Sequence, residues 1–335
     1  MKPTLSILDP SPIFQGRSAA DALNETRALA QAADTMNYRT YWVQEHHNAR
    51  SFAGTTPEVL MADLAARTSR IAFGSGGIML PNYSPLKVAE WGQTLSQLYP
   101  GRIEIGLGRA TGADPRASAA LLGPGGQNFP NMLRMLMDWM LDASGEAAFP
   151  EDHRARGIAA NPAGPRPDLW MLCSSPSSAA FAGQMGLKLA FADFLNPGGA
   201  KDALDAYHDA FEPSPFCAEP YAGVGLVVLA ADTETEANRL SAPIKAWALG
   251  RATGKFTPYL DSDTAVETLE RAPLEPPQRG IIGTGETVAQ RLLETAQDTH
   301  AKEFFLLSIT DSLETRINSY RLIEHAMSKI TAVSA

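Results

Sequence analysis

Cysteine is scarce in this chain, and long apolar runs are absent. Only two of the 335 residues are cysteines, Cys173 and Cys217, which is too few for a disulfide framework or a cysteine-based zinc site. No run of about 18 apolar residues, the length that a membrane-spanning helix needs, occurs in the sequence. The first residues, MKPT, also lack the apolar segment of a secretory signal. The sequence therefore predicts a soluble, cytoplasmic protein.

Basic residues are in deficit as well. The chain has 28 Lys and Arg against 37 Asp and Glu, which gives a formal net charge of -9. A surface of this sign does not hold nucleic acid or an anionic membrane by bulk electrostatics. A local phosphate pocket stays open, because such a pocket needs only one or two well-placed donors.

Short apolar or β-branched runs alternate with longer amphipathic stretches along the chain. Eight runs are predicted as strands: residues 5–8, 41–43, 71–74, 102–107, 169–172, 187–191, 223–230 and 304–307. Strands that alternate with helices form a parallel sheet, and eight repeats favour closure into a TIM-type (β/α)8 barrel. An open, doubly wound sheet is the structural alternative.

A single domain is predicted over residues 1–335, with two excursions. Residues 145–167 are rich in Gly, Pro and Arg and are predicted to form a long surface loop. The second excursion, residues 232–280, is an insertion after strand seven, in which one helix over residues 233–249 precedes a proline-rich segment. The first excursion and residues 250–280 are the candidates for a lid over a site.

The second predicted strand ends in Glu45-His46-His47. Catalytic residues of a (β/α)8 barrel lie at this end of the strands. Neighbouring side chains on a strand point to opposite faces, so His46 and His47 cannot easily share one metal ion, and no metal site is expected. His46 is instead a candidate general acid or base, since imidazole titrates near neutral pH. A histidine packed under a loop for structural reasons is the alternative.

The fourth predicted strand is followed by small residues and an arginine. The segment GLGRATG at residues 106–112 differs from a dinucleotide fingerprint, because its third glycine comes one residue late. Small residues such as Gly108 let a flat ring approach the backbone closely. Arg109 places a fixed cation beside it, suited to a phosphate or carboxylate. A plain surface arginine is the alternative.

Serines open the helix that follows the fifth predicted strand. Hydroxyls and free N–H groups at a helix start, here at Ser174, Ser175 and Ser178, form an anion site, although serines also cap helices for structural reasons alone. Arg109 follows the neighbouring strand. Together the two segments predict a phosphate site built from adjacent strand ends.

A pair of glycines, Gly76 and Gly77, ends the third predicted strand. Paired glycines here allow an unusual backbone, including a non-proline cis peptide bond, or form a plain turn. The sequence leaves both alternatives open.

Three segments in this order resemble the luciferase-like flavin monooxygenase family: residues 41–48 (YWVQEHHN), 74–82 (GSGGIMLPN) and 99–110 (YPGRIEIGLGRA). The resemblance extends to residues 282–284 and 319–320 and so covers nearly the whole chain. It implies a (β/α)8 barrel with an insertion between strand seven and its helix. It also implies FMN as cofactor, used as FMNH2 delivered by a separate flavin reductase, with O2 as co-substrate, and a homodimer.

The resemblance also assigns roles to residues. It implies that His46 lies at the reacting edge of the flavin and that Gly76 and Gly77 form a cis peptide under the flavin ring. Arg109 is implied to bind the flavin phosphate, and Ser174, Ser175 and Ser178 bind the same phosphate. Gly108 stands where luciferase has a reactive cysteine, and Ser174 where it has an acidic residue, so light emission is not implied.

Three functions remain open at this stage. The favoured one is an FMNH2-dependent monooxygenase that acts on a small organic substrate. Some barrels of the superfamily use the deazaflavin F420 and transfer hydride without O2, and others bind flavin without turnover. Fold alone does not decide among them.

Overall fold

The computed structural model describes residues 2–122, 128–254, 257–275 and 280–333. Nine parallel strands alternate with helices in it. The strands are β1 (Thr4–Asp9), β2 (Thr40–Val43), β3 (Ala72–Met79), β4 (Ile103–Gly108), β5 (Asp168–Cys173), β6 (Lys188–Ala192), β7 (Ala222–Ala231), β8 (Ile281–Thr284) and β9 (Glu303–Leu307).

Eight of these strands close into a barrel. Strands β1 to β7 pair in chain order, and β9 lies between β7 and β1 to complete the ring. Every one of these pairings is parallel. The predicted (β/α)8 barrel is therefore confirmed, and the open sheet is excluded.

Helices surround the barrel. They are α1 (Ala19–Asp34), α2 (Pro57–Ala65), α3 (Pro85–Leu98), α4 (Pro115–Leu122), α5 (Phe129–Ser144), α6 (Pro176–Gln184), α7 (Ala200–Asp209), α8 (Glu234–Leu240), α9 (Ala242–Ala252), α10 (Ser262–Glu270), α11 (Gly285–Thr299) and α12 (Leu313–Val333). Local sequence sets several of their starts: Ser18 and Asp21 form a capping box on α1, and proline occupies the first turn of α2 and α3. No helix among the described residues is long and apolar enough to cross a membrane.

The insertion after strand seven holds α8, α9, α10 and β8. The single helix predicted over residues 233–249 is wrong, because the chain turns at Ser241 and starts a new helix with Pro243 in its first turn. Strand β8 was not predicted; it pairs with the second half of β7, at Val228–Ala231, above the level at which β7 pairs with β9. Residues 255–256 and 276–279 of this excursion lie outside the described part.

The amino-terminal end of the barrel is closed by charged and polar side chains, here called the amino-end network: Ser6, Arg39, Glu104, Tyr221 and Glu303. Arg39 donates to both Glu104 and Glu303, at 2.8 Å in the Nη2–Oε1 pair with Glu303. The Tyr221 hydroxyl donates to Glu303 at 3.0 Å, and the Ser6 hydroxyl donates to it as well. The carboxylates are buried, but each one has several donors, so the charges are compensated.

An aromatic layer lies directly above this network. Trp42, Trp170 and Phe305 are each the third residue of their strand, and their rings fill the barrel axis at centroid distances of 4.2–5.4 Å. A Cβ on Gly74 would lie 2.1 Å from the Trp42 ring nitrogen, so that position has no room for a larger residue. In the described part of the chain the lower barrel is therefore packed, and the space for a ligand inside the barrel lies towards the carboxyl ends of the strands.

Candidate active site

A cavity of about 590 Å³ opens at the carboxyl ends of the barrel strands. The last residues of five strands, Met79, Gly108, Cys173, Ala192 and Leu307, contribute to its wall. Gly76 lines it from inside β3, which continues to Met79, so the predicted end of the third strand at the glycine pair is wrong. This is the end at which (β/α)8 enzymes carry their catalytic residues, and the volume is in the range of small-molecule sites.

One corner of the cavity collects the predicted anion-binding residues. Arg109, Ser174 and Ser178 all line it. Ser175 is not among the lining residues; it caps α6, where its hydroxyl accepts from the Ser178 backbone N–H at 3.4 Å and lies 2.6 Å from the Ser178 hydroxyl. The start of α6 adds the positive end of a helix dipole to the same corner.

Cys173 lies beside this corner but does not act as an anion there. Burial raises the pKa of its thiol to about 12, and a hydrogen bond with Ser178 and the charge of Arg109 offset this only in part. The thiol is therefore neutral at physiological pH, so a thiolate nucleophile is not available.

Three glycines predicted to lie near a flat ring, Gly76, Gly77 and Gly108, have little free space around them. The Gly76–Gly77 peptide bond is cis. Gly76 and Gly108 line the cavity, while Gly77 does not. A Cβ on Gly77 would lie 2.7 Å from the Gly106 carbonyl oxygen, and one on Gly108 would lie 2.7 Å from the Met79 sulfur. Backbone atoms thus exclude a side chain at Gly77, whereas a side chain at Gly108 would require the flexible end of Met79 to move.

His46 lines the cavity on the side of β2. Its ring stacks on Phe52 with a centroid distance of 4.4 Å, and its backbone N–H donates to the Gly54 carbonyl at 2.9 Å. Its Nδ1 is buried and has no hydrogen-bond partner within the described chain. Burial, followed by the charges of Arg251 and His47, lowers the pKa of His46 from 6.5 to about 4. His46 is thus a neutral imidazole with one ring nitrogen left for a ligand.

Glu45 and His47 form a separate structural group. The buried Glu45 carboxylate accepts from the Met79 backbone N–H and from the Asn82 side chain, both at 2.9 Å. The His47 Nε2 lies 2.7 Å from the same carboxylate. This arrangement fixes the loop after β2 and turns His47 away from His46. Within the residues that the structure describes, no group of three or more His, Cys, Asp or Glu side chains could hold a metal ion.

An aromatic wall, formed by Phe52, Trp247 and Tyr259, faces the cavity from the loop after β2 and from the insertion. Trp247 stacks on Tyr259 at 5.3 Å between ring centroids and meets Phe52 edge to face at 5.6 Å. The Trp247 ring N–H donates to the Ser51 hydroxyl at 2.8 Å. The Tyr259 backbone N–H donates to the Ile13 carbonyl at 2.9 Å. These bonds fasten the insertion to two loops of the barrel.

The two lid candidates have different outcomes. None of the described residues that line the cavity comes from residues 145–167; Phe149 of that segment packs on Trp139 in the outer core instead. Residues 250–280 do contribute, through Arg251, Ala252 and Tyr259. Arg251, Trp247 and Tyr259 were not among the candidates from the sequence. Its only signal for the last two is that they are aromatic residues inside the insertion.

The charge of the cavity contrasts with that of the chain. Its lining, as far as the structure describes it, includes two arginines, Arg109 and Arg251, and no Asp or Glu, whereas the whole chain carries a net charge of -9. A positive cavity in an acidic protein favours anionic ligands and repels cationic ones.

Comparisons with known proteins agree with this architecture. The model of the luciferase-like monooxygenase family matches residues 4–303. The chain is 39% identical over 333 residues to the YwcH protein of Bacillus subtilis (strain 168), covering 96% of this chain and 98% of that protein. It is 34% identical over 335 residues to a protein of the same strain named N-acetyl-S-alkylcysteine monooxygenase, covering 96% and 98%.

Solved structures show the same fold. Apo-MsnO8 superimposes with a TM-score of 0.90 at 32% identity, covering 97% of this chain and 98% of that one. The oxygenating constituent of 3,6-diketocamphane monooxygenase from Pseudomonas putida, solved with FMN, gives 0.73 at 22% identity and covers 98% of each chain. An F420-dependent secondary alcohol dehydrogenase gives 0.67 at 16% identity, covering 97% and 99%. At these identities the last two comparisons show the fold alone.

Proposed function

The chain belongs to the luciferase-like monooxygenase family, and we propose that it is an FMN-dependent monooxygenase that uses reduced FMN and O2 on a small organic substrate. The observation that carries the proposal is one cavity with an anion corner at Arg109, Ser174 and Ser178 and a neutral histidine, His46, at another side. The anion corner would bind the phosphate of the flavin, and the histidine would lie near its reactive ring.

The residues present suit FMN. Arg109 and two serine hydroxyls at the start of α6 would hold the phosphate, since a guanidinium and helix N–H groups are preferred partners of that dianion. Met79 and Leu172 offer apolar surface for the flavin ring. The unpartnered His46 Nδ1 is a buried polar atom that a ligand would satisfy.

When bound, reduced FMN would supply the electrons that activate O2. His46 would accept a proton or a hydrogen bond at Nδ1, a task that its neutral state at physiological pH permits. The aromatic wall would keep water away from the reacting atoms, because Trp247 and Tyr259 cover the cavity on the side of the insertion. Tyr259 is almost fully buried, so it forms a rigid part of that wall.

We also propose that a separate flavin reductase supplies FMNH2 and that the protein works as a homodimer, as the family resemblance implies. The relative named N-acetyl-S-alkylcysteine monooxygenase suggests thioethers as a first group of substrates to test.

Binding and turnover separate the proposed function from its alternatives. The purified protein is titrated anaerobically with FMNH2 and with reduced F420, and O2 consumption is then followed with a panel of substrates that includes N-acetyl-S-alkylcysteines. We expect FMNH2 to bind and O2 uptake to depend on one substrate class. Preferential binding of F420 with oxidation in the absence of O2 would identify a dehydrogenase. Bound FMN without substrate-dependent O2 uptake would identify a flavin-binding protein.

A further inference from the structure

A second cation, Arg251, lines the same cavity as Arg109 and is exposed to solvent. It belongs to the last turn of α9, and its guanidinium lies over the Trp247 ring at 5.0 Å from the centroid. Within the part of the chain that the structure describes, no carboxylate forms an ion pair with it. The guanidinium is therefore available to a ligand.

The two cavity arginines face different groups. Arg109 follows β4, and its charge acts on Cys173 next to Ser178. The charge of Arg251 acts on His46 and Tyr259 instead. It adds to burial in lowering the pKa of His46, and it offsets part of the rise in the pKa of Tyr259 that burial causes. One flavin phosphate would occupy the first cation and leave the second one unused.

Hydrogen bonds hold the Trp247 ring on which the Arg251 guanidinium lies. Its ring partner Trp247 donates to the Ser51 hydroxyl, which in turn donates to the Thr257 carbonyl, each at 2.8 Å. Stacking on a ring that is itself held by hydrogen bonds limits the freedom of the guanidinium. The entropy lost when it binds a carboxylate is reduced accordingly.

Resting on the proposed function, we propose that the substrate is an organic acid whose carboxylate binds Arg251 and whose apolar or aromatic body packs on Phe52, Trp247 and Tyr259. A guanidinium pairs with a carboxylate through two parallel hydrogen bonds, which fixes orientation as well as affinity. The body of such a molecule would extend from Arg251 past His46. Cationic substrates are disfavoured, because the described cavity lining has no carboxylate.

Matched acid and amide probes test the assignment. Phenylacetate, 3-phenylpropionate and (benzylthio)acetate are each compared with their primary amides by isothermal titration calorimetry on the FMN-loaded wild type and on Arg251→Gln, Arg251→Lys and Arg134→Gln. Arg134 lies on the exposed face of α5 and serves as the control.

We expect at least one acid to bind about tenfold or more tightly than its amide, as a charged hydrogen bond implies. The preference should vanish in Arg251→Gln, persist in part in Arg251→Lys, and stay unchanged in Arg134→Gln, with FMN affinity equal in all four proteins. Equal affinity for every acid and amide, no binding of any acid, or a preference that survives Arg251→Gln would overturn the assignment. Failure of FMN to load would instead count against the proposed function, and the acid preference is then measured on the flavin-free protein.

Discussion

At the amino-terminal end of the barrel Arg39 lies between two buried carboxylates, whereas at the carboxyl end Arg109 and Arg251 line a cavity whose described wall has no carboxylate. The difference extends to the uncharged groups. The Trp42 ring N–H, just above the amino-end network, donates to Glu104 at 3.0 Å. Nδ1 of His46, at the other end, is buried without a partner in the described chain. Polar groups with several partners stabilise the fold, whereas an unpartnered polar atom on a side chain that lines a cavity is a candidate to bind a ligand.

The largest expected effect comes from breaking the amino-end network. Arg39→Met leaves Glu104 and Glu303 buried without their cation, and we expect it to lower the free energy of unfolding by about 3–5 kcal/mol. Urea denaturation measures the change, with Arg134→Met as the exposed control. A loss below about 1 kcal/mol would show that the network contributes little to stability.

At the carboxyl end the corresponding change affects turnover rather than stability. His46→Ala removes the proposed proton acceptor, and we expect product formation to fall by about a hundredfold, the lower range for general acid–base catalysis. FMN affinity should be retained, because the phosphate corner is untouched. Product per NADH is measured with reductase, NADH, O2 and the substrate that the O2-uptake panel identifies. Exposed His325 provides the control variant His325→Ala; undiminished product from His46→Ala would remove His46 from the mechanism.

A smaller effect on stability follows from the low pKa of His46. The folded protein keeps this ring neutral down to about pH 4, while the unfolded chain protonates it near pH 6.5. The unfolded state therefore binds more protons between these pH values. The free energy of unfolding is not reduced by His46 above pH 6.5, and it decreases as the pH falls towards 4.

His46→Gln removes this titration. On lowering the pH from 7 to 4, we expect the wild type to lose about 1–3 kcal/mol more unfolding free energy than the variant, after allowance for the exposure of the ring to the cavity. Urea titrations of both proteins across this range measure it. Parallel pH dependence of the two proteins would show that His46 is not held neutral by the fold.

The sequence was informative where local patterns determine the structure. The fully buried strand β7 and the apolar strands β4 and β5 were predicted because parallel barrel strands are apolar on both faces. The carboxyl-end rule selected His46, Arg109 and Ser174, and the serines at a helix start added Ser178; all four line the cavity, while their roles stay predictions.

What escaped prediction depends on tertiary contacts. Strand β8 has only four residues and forms against the free upper half of β7, which no local periodicity reveals. Arg251, Trp247 and Tyr259 come from the insertion and reach the cavity only because Ser51 and Ile13 hold it in place. The amino-end network was missed for the same reason, since Arg39, Glu104 and Glu303 are far apart in the chain.

The proposal that Arg109 binds the phosphate of FMN is tested by the affinities of the wild type and of Arg109→Ala for FMN and for riboflavin, which lacks the phosphate. We expect the wild type to prefer FMN, and Arg109→Ala to weaken FMN binding by about 1.5–3 kcal/mol while riboflavin binding changes little, because a charged hydrogen bond to the phosphate is lost. Fluorescence titration of both flavins measures the four affinities. Equal losses of affinity for the two flavins, or no preference for FMN in the wild type, would contradict a phosphate site at Arg109.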